Sequence, residues 1–142
     1  MMSSKKNKRV VVTCCHTRVG YNVACGLLRA GWEVVATGRA TPSMCAHIKG
    51  VIADYDYPDP FESPDEYLKL LSTVADKHSA SVILPVHEDL FVASRYRDKI
   101  TSKAHLLAPK FEHLLAVHDK ALIPEFAPVS YTHLTLPTTP YV

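Results

Sequence analysis

Residues 9–38 read R-V-V-V-T-C-C-H-T-R-V-G-Y-N-V-A-C-G-L-L-R-A-G-W-E-V-V-A-T-G, and this stretch decides the fold. Its first seven residues, 9–15, are largely apolar and β-branched, the composition of a strand buried on both faces. A polar turn follows over 15–20. Val19, Val23, Leu27 and Ala30 then recur at helical spacing, with Ala24 and Leu28 widening the stripe. Gly31 stands where a helix end favours a left-handed residue. Residues 32–37 (WEVVAT) form a second strand, closed by Gly38. Strand, helix and strand in so short a span make a βαβ unit, with parallel strands and a right-handed crossover.

Working outward, residues 41–49 are expected to hold one short helix. Residues 51–57 (VIADYDY) alternate weakly and read as a third, edge strand. Asp54, Asp56, Asp59, Glu62, Asp65 and Glu66 form an acidic stretch without Lys or Arg. It runs into a helix start, Ser63-Pro64-Asp65-Glu66: Ser63 is placed to cap, Pro64 suits the first turn, and Glu66 completes a capping box. Tyr67, Leu68, Leu71, Val74 and Ala75 supply a core stripe down to His78. Residues 81–86 (SVILPV) form a fourth strand whose ladder Pro85 ends. A helix over 88–99, a fifth strand over 104–108 (AHLLA), a short helix over 110–117 and a helix starting over 119–126 complete the pattern. The fold class is α/β: a single-domain, Rossmann-like, doubly wound parallel sheet of about five strands in the order 3-2-1-4-5. That order puts the first and fourth strands side by side. The turns at 15–20 and 86–89 then face one crevice at the carboxyl end of the sheet, where such folds bind ligands. There is no internal repeat.

Composition narrows the classes. At 142 residues and 47% apolar, the chain is long enough to bury a core without a disulfide or metal staple. No apolar run approaches the ~18 residues of a membrane span, and the run after the basic N-terminus is too short for a signal peptide. Four cysteines without framework spacing point to reduced thiols and a cytoplasmic address. The net charge of +2 hides a division. Lys5, Lys6, Lys8 and Arg9 make residues 1–8 and their junction a basic leader, expected to be disordered. The remainder carries twelve Lys and Arg against fourteen Asp and Glu. A basic leader on a mildly acidic body is not a nucleic-acid face, and no membrane partner is expected.

The crevice residues restrict the chemistry. A dinucleotide fingerprint needs glycines so that backbone amides approach a pyrophosphate, and the turn T-C-C-H-T-R-V-G holds only Gly20. Thr37-Gly38-Arg39 places an arginine where a 2′-phosphate would lie, which keeps a stand-alone NAD(P)-binding or small-molecule-binding module as the alternative. Read as strand residues, Cys14 and Cys15 point to opposite faces. Cys25 lies on a helix and Cys45 in a loop, and no C-x-x-C or H-x-x-x-H spacing occurs, so no metal site is expected. Cys15 and His87 share the crevice on the expected strand order, the pairing of an activated nucleophile, against a simpler reading as buried thiol and surface imidazole. Arg18, His87 and Glu88 are the cleft candidates. Glu88 stands at a helix start, where a carboxylate complements the dipole.

Four segments carry a family resemblance: V-V-V-T with L-L-R-A-G-W-E-V-V-A, then S-P-D-E-Y-L, then V-I-L-P-V-H-E-D, and last L-L-A-P-K-F-E-H-L-L-A-V-H-D-K. Together they resemble the N-terminal, pre-ATP-grasp domain of ATP-grasp ligases of the carbamoyl-phosphate-synthetase-like group, over about 9–127. The resemblance implies a pre-ATP-grasp domain over 9–118 and the start of the ATP-grasp fold over 119–128. It implies ATP and Mg²⁺ as cofactors of a full-length parent, with a small-molecule substrate. The missing ATP-grasp domain of the same polypeptide would then be this chain's partner. In that family the His118-Asp119-Lys120 position is where the chain enters the ATP-grasp fold, and its basic residue contacts the nucleotide. Lys120 inherits that role, for which an ammonium group is suited. The family's acidic Mg²⁺ ligands have no counterpart here, so no catalytic residue is assigned and the chain alone is expected to be inactive and to bind no cofactor tightly. Residues 129–139 (V-S-Y-T-H-L-T-L-P-T-T) resemble one reading frame of a transposon-end sequencing adapter, which marks 129–142 as a non-native tail.

Overall fold

The computed structural model describes residues 7–118. The chain divides into two compact units, Met1–Ala108 and Pro109–Val142. The first holds a five-stranded sheet, β1 (Arg9–Val12), β2 (Glu33–Gly38), β3 (Val51–Asp56), β4 (Val82–Leu84) and β5 (His105–Leu106). Its helices are α1 (Arg18–Arg29), α2 (Pro64–Lys77) and α3 (Asp89–Arg95), followed by a 3-10 turn at Arg97–Lys99. The second unit contributes α4 (Phe111–His118).

The strand order is β3-β2-β1-β4-β5, and every pairing is parallel. The βαβ reading of residues 9–38 and the order 3-2-1-4-5 therefore both hold. In register, Val11 faces Val35 on one side and Ile83 on the other. Strand alternation sends these three to one face, where they meet Tyr67, Leu68, Leu71 and Ala93 from α2 and α3. Val10, Val12, Val34 and Ala36 point to the opposite face, against Ala24 and Leu27 of α1 and against Cys45. Val10, Val11, Val12, Val34 and Val35 are at most 1% exposed, each contributing about 1.5–3 kcal/mol of burial. β1 is thus the spine of both core layers, as the uninterrupted valine run requires.

Several local expectations are corrected. β1 stops at Val12, so Cys14 and Cys15 belong to the turn rather than the strand. The expected helix over 41–49 is a series of turns. Ser43 competes with the backbone there: its N–H donates to Asp54 Oδ2 at 2.7 Å and its Oγ accepts from Cys45 N–H at 3.1 Å. Ser63 stands at the N-cap of α2, but its side chain makes no capping bond. Asp59 takes the local donors instead, accepting the Phe61 N–H at 2.8 Å and the Glu62 N–H at 3.4 Å. The helix expected over 88–99 breaks at Tyr96, which leaves helical geometry as its ring packs against the core. Gly31 has φ 87 and ends α1 as its position implied. Of the expected leader, residues 7 and 8 are described and residues 1–6 lie outside the described residues. Lys8 accepts the Glu33 N–H at 2.8 Å and Asn7 accepts the Ser81 hydroxyl at 2.7 Å, so both are tied to the sheet. The helix expected from 119 and the tail from 129 lie outside the described residues.

Candidate functional site

The carboxyl ends of β1 and β4, neighbours at the switch point of strand order, each carry a non-glycine residue in the left-handed region. Cys14 has φ 57 and His87 has φ 60. Each such residue costs on the order of 1–3 kcal/mol, which the surrounding bonds must offset. The Cys14 carbonyl accepts the Thr17 N–H at 2.9 Å and the Thr17 hydroxyl at 2.7 Å. Thr17 Oγ1 in turn accepts the Gly20 N–H at 3.2 Å and caps α1. Gly20 is required there, because a Cβ would stand 2.1 Å from the Cys14 oxygen. On the other tip the Val86 N–H donates to Thr13 Oγ1 at 2.8 Å, and the His87 carbonyl accepts the Leu90 N–H at 3.2 Å. The turns after β1 and β4 are therefore stitched together, as the expected strand order required.

Beneath these tips lies a buried polar knot. Asp89, the first residue of α3, is 5% exposed. Its Oδ2 accepts the Tyr57 hydroxyl in a short bond and lies 3.3 Å from the Tyr67 hydroxyl. The Tyr57 oxygen accepts the Cys14 N–H at 3.0 Å, with Cys14 Sγ 3.7 Å away. The two rings meet edge to face, centroids 4.9 Å apart. Burial and then the Asp89 charge push the Cys14 thiol up to about 12 and hold both phenols well above their ordinary range. Four elements thus converge on one carboxylate: the β1–α1 turn, the end of β3, the first turns of α2, and α3. Sequence reasoning passed over Asp89, although the signal was present. Asp89 stands in helical register with Val92 and Ala93, which places it on the inward face.

Around the knot runs an exposed rim. Arg18 is the first residue of α1 and is exposed, and so are His87 and Glu88. Glu88 precedes α3 but caps nothing with its side chain, so the dipole role falls to Asp89. His16 Nδ1 accepts the Arg39 N–H at 3.0 Å, which ties the end of β2 to the β1 tip. Partial burial lowers the His16 pKa, with the Asp89 charge opposing and Arg39 reinforcing. Arg39 pairs with Asp59 at 2.9 Å. Cys15 does not serve His87 as a base-activated nucleophile. Its Sγ is turned inward, 3.4 Å from the Val12 oxygen, and its neighbour is Cys45. Lys120 lies outside the described residues. Two imidazoles, two guanidiniums and two carboxylates, one of them paired with Arg39, can orient an anionic group or a second polypeptide at this end of the sheet.

A separate open depression of about 480 Å³, lined by Ala75, Asp76, Ser79, Ala80, Thr101 and Lys103, lies at the amino end of β4 and β5, away from this rim. Among the described residues no helix is long and apolar enough to cross a membrane.

No protein-family model matches the sequence, and no curated protein is significantly similar to it. The fold does have relatives among solved structures. An L-amino acid ligase from Bacillus licheniformis superposes with TM-score 0.62 over 88% of this chain, at 12% identity, and this chain covers 30% of its length. The biotin carboxylase domain of the 2-oxoglutarate carboxylase of Hydrogenobacter thermophilus, solved with MgADP, ADP and bicarbonate, gives TM-score 0.54 over 85% of this chain at 21% identity. A glycinamide-RNase-transformylase T from Mycobacterium tuberculosis gives 0.52 over 87% at 14% identity. The chain spans 27% and 36% of those two proteins. These likenesses show a shared fold.

Proposed function

We propose that this chain is the N-terminal part of a cytoplasmic ATP-dependent ligase of the ATP-grasp type, which activates a carboxylate and joins it to an amine or similar nucleophile. The supporting observation is the sheet itself. The chain with this sheet superposes over 88% of its length on 30% of an amino acid ligase. That relation is the one a pre-ATP-grasp domain bears to its whole enzyme. In this reading residues 9–118 wall one side of the active-site cleft, with Arg18, His87 and Glu88 on the wall. Residues 119–128 begin the ATP-grasp fold, and 129–142 are foreign to it. Lys120 contacts the nucleotide, and ATP with Mg²⁺ binds only once the partner domain is present. A biotin carboxylase domain of the same fold was solved with MgADP, which agrees with that cofactor set.

Titration calorimetry on this chain tests the reading against a stand-alone dinucleotide-binding module. The turn after β1 offers one glycine, and Gly20 is occupied in packing against Cys14. Neither ATP nor NADP should bind with micromolar affinity. Micromolar NADP binding would establish the dinucleotide module instead. Supplied with an ATP-grasp partner domain in one polypeptide, the chain should support ATP hydrolysis coupled to ligation, and Lys120→Ala should raise KM for ATP.

A further inference from the structure

We propose that Cys15 and Cys45 form a reversible disulfide that fastens the 39–50 loop to the β1–α1 turn. This is a covalent modification site independent of the ligase reading. Cys15 is the second residue of the turn that follows β1's tip, and Cys45 lies in the loop between β2 and β3. Both are fully buried and both are free thiols. The backbone already holds them together: the Met44 N–H donates to the Cys15 carbonyl at 3.2 Å, and Cys45 Sγ lies 3.9 Å from the same oxygen. Both side chains belong to the same buried cluster, and each thiol is the neighbour that most perturbs the other.

The other cysteines are differently placed. Cys14, next in sequence to Cys15, has its thiol engaged by the Tyr57 hydroxyl at 3.7 Å, beside the Asp89 charge. Cys25 is on α1 beside Tyr21 and is half-buried. Within the pair the roles are unequal. The neighbouring Cys15 thiol lowers the Cys45 pKa, while the Cys15 pKa is raised by its Cys45 neighbour and by burial. Cys45 is therefore the attacking sulphur. It also sits on the more detachable segment, a run of turns without helix or strand.

The oxidant is a small-molecule disulfide such as oxidised glutathione. When the loop opens, the Cys45 thiolate attacks one sulphur of the disulfide, forming a mixed disulfide and expelling one thiolate. Cys15 then loses its proton and attacks the Cys45 sulphur, expelling the second thiolate. Two protein thiols become one S–S bond, the oxidant becomes two thiols, and the two protons leave with them. The product locks the loop across the end of the sheet where Arg39 and His16 meet.

The experiment is peptide mapping of the full chain after incubation with oxidised glutathione and alkylation of remaining thiols. The expected result is a Cys15–Cys45 cross-linked peptide lighter by two hydrogens, with Cys14 and Cys25 alkylated. Trypsin cleavage after Lys49 should slow several-fold in the oxidised chain and recover with dithiothreitol. Cys45→Ser should give no intramolecular cross-link. A Cys14–Cys15 bond, glutathione retained on Cys25 alone, or a mapped cross-link without slower cleavage would overturn the proposal.

Discussion

The two ends of this sheet are built from the same strands and behave as different materials. At the carboxyl end, the polar groups of Cys14, Tyr57, Tyr67 and Asp89 are buried and bonded to one another. At the amino end, Arg9 donates to the His78 carbonyl at 2.6 Å and pairs with Glu33 at 2.9 Å, with Glu33 about half exposed. Tyr55 and His78 meet at 2.6 Å, part-buried. A buried polar group that loses its partner forfeits its bond and stays without water, whereas an exposed one is solvated at once. The carboxyl end is therefore where this fold has something to lose. The left-handed Cys14 and His87 are held at that end.

The sharpest way to break the comparison is Asp89→Ala. It strands two buried phenol hydroxyls and unties α3 from the β1 tip, and should cost about 2–4 kcal/mol in chemical denaturation. Tyr57→Phe, which keeps the ring and removes one partner, should cost about half of that. Equal or negligible losses for both would mean that the knot is spectator chemistry.

Acid should act next. Burial lowers the pKa of both His16 and His78 below the ordinary 6.5. The folded state then binds fewer protons than the unfolded one just below that value. Their contribution is fully present above pH 6.5 and is lost as pH falls through the lowered folded values. Protonation of His16 at Nδ1 also removes the acceptor for the Arg39 N–H. Thermal midpoints should fall as pH drops from 7 towards 5, and His16→Gln should flatten part of that fall. An unchanged profile would assign the acid response to other groups.

The smallest effect is expected at the amino end. Glu33→Ala removes an exposed ion pair and should change stability by less than about 1 kcal/mol. A loss as large as that of Tyr57→Phe would erase the distinction between the two ends.

By itself the sequence determined the parallel α/β sheet. The valine run of β1, the helical stripe of α1 and the glycine at 31 are local signals, and a βαβ crossover has only one common hand. It also determined that the turns after β1 and β4 would meet, because that follows from strand order. Tertiary structure alone decided what those turns contain. Whether Cys14 and Cys15 lie in a strand or a turn depends on where the regular ladder with β2 and β4 stops, and it stops at Val12, although the Cys15 N–H still donates to the Thr37 carbonyl at 2.9 Å. The choice of Asp89 over Glu88 as the buried carboxylate depends on where α3 begins, one residue later than expected. The helix missing from 41–49 was outvoted by Ser43 bonding to Asp54, a partner eleven residues away. Periodicity reports which face of an element is buried. It cannot report which polar groups from four separate elements will arrive at the same buried point, because their desolvation and pairing are settled only when all four have packed.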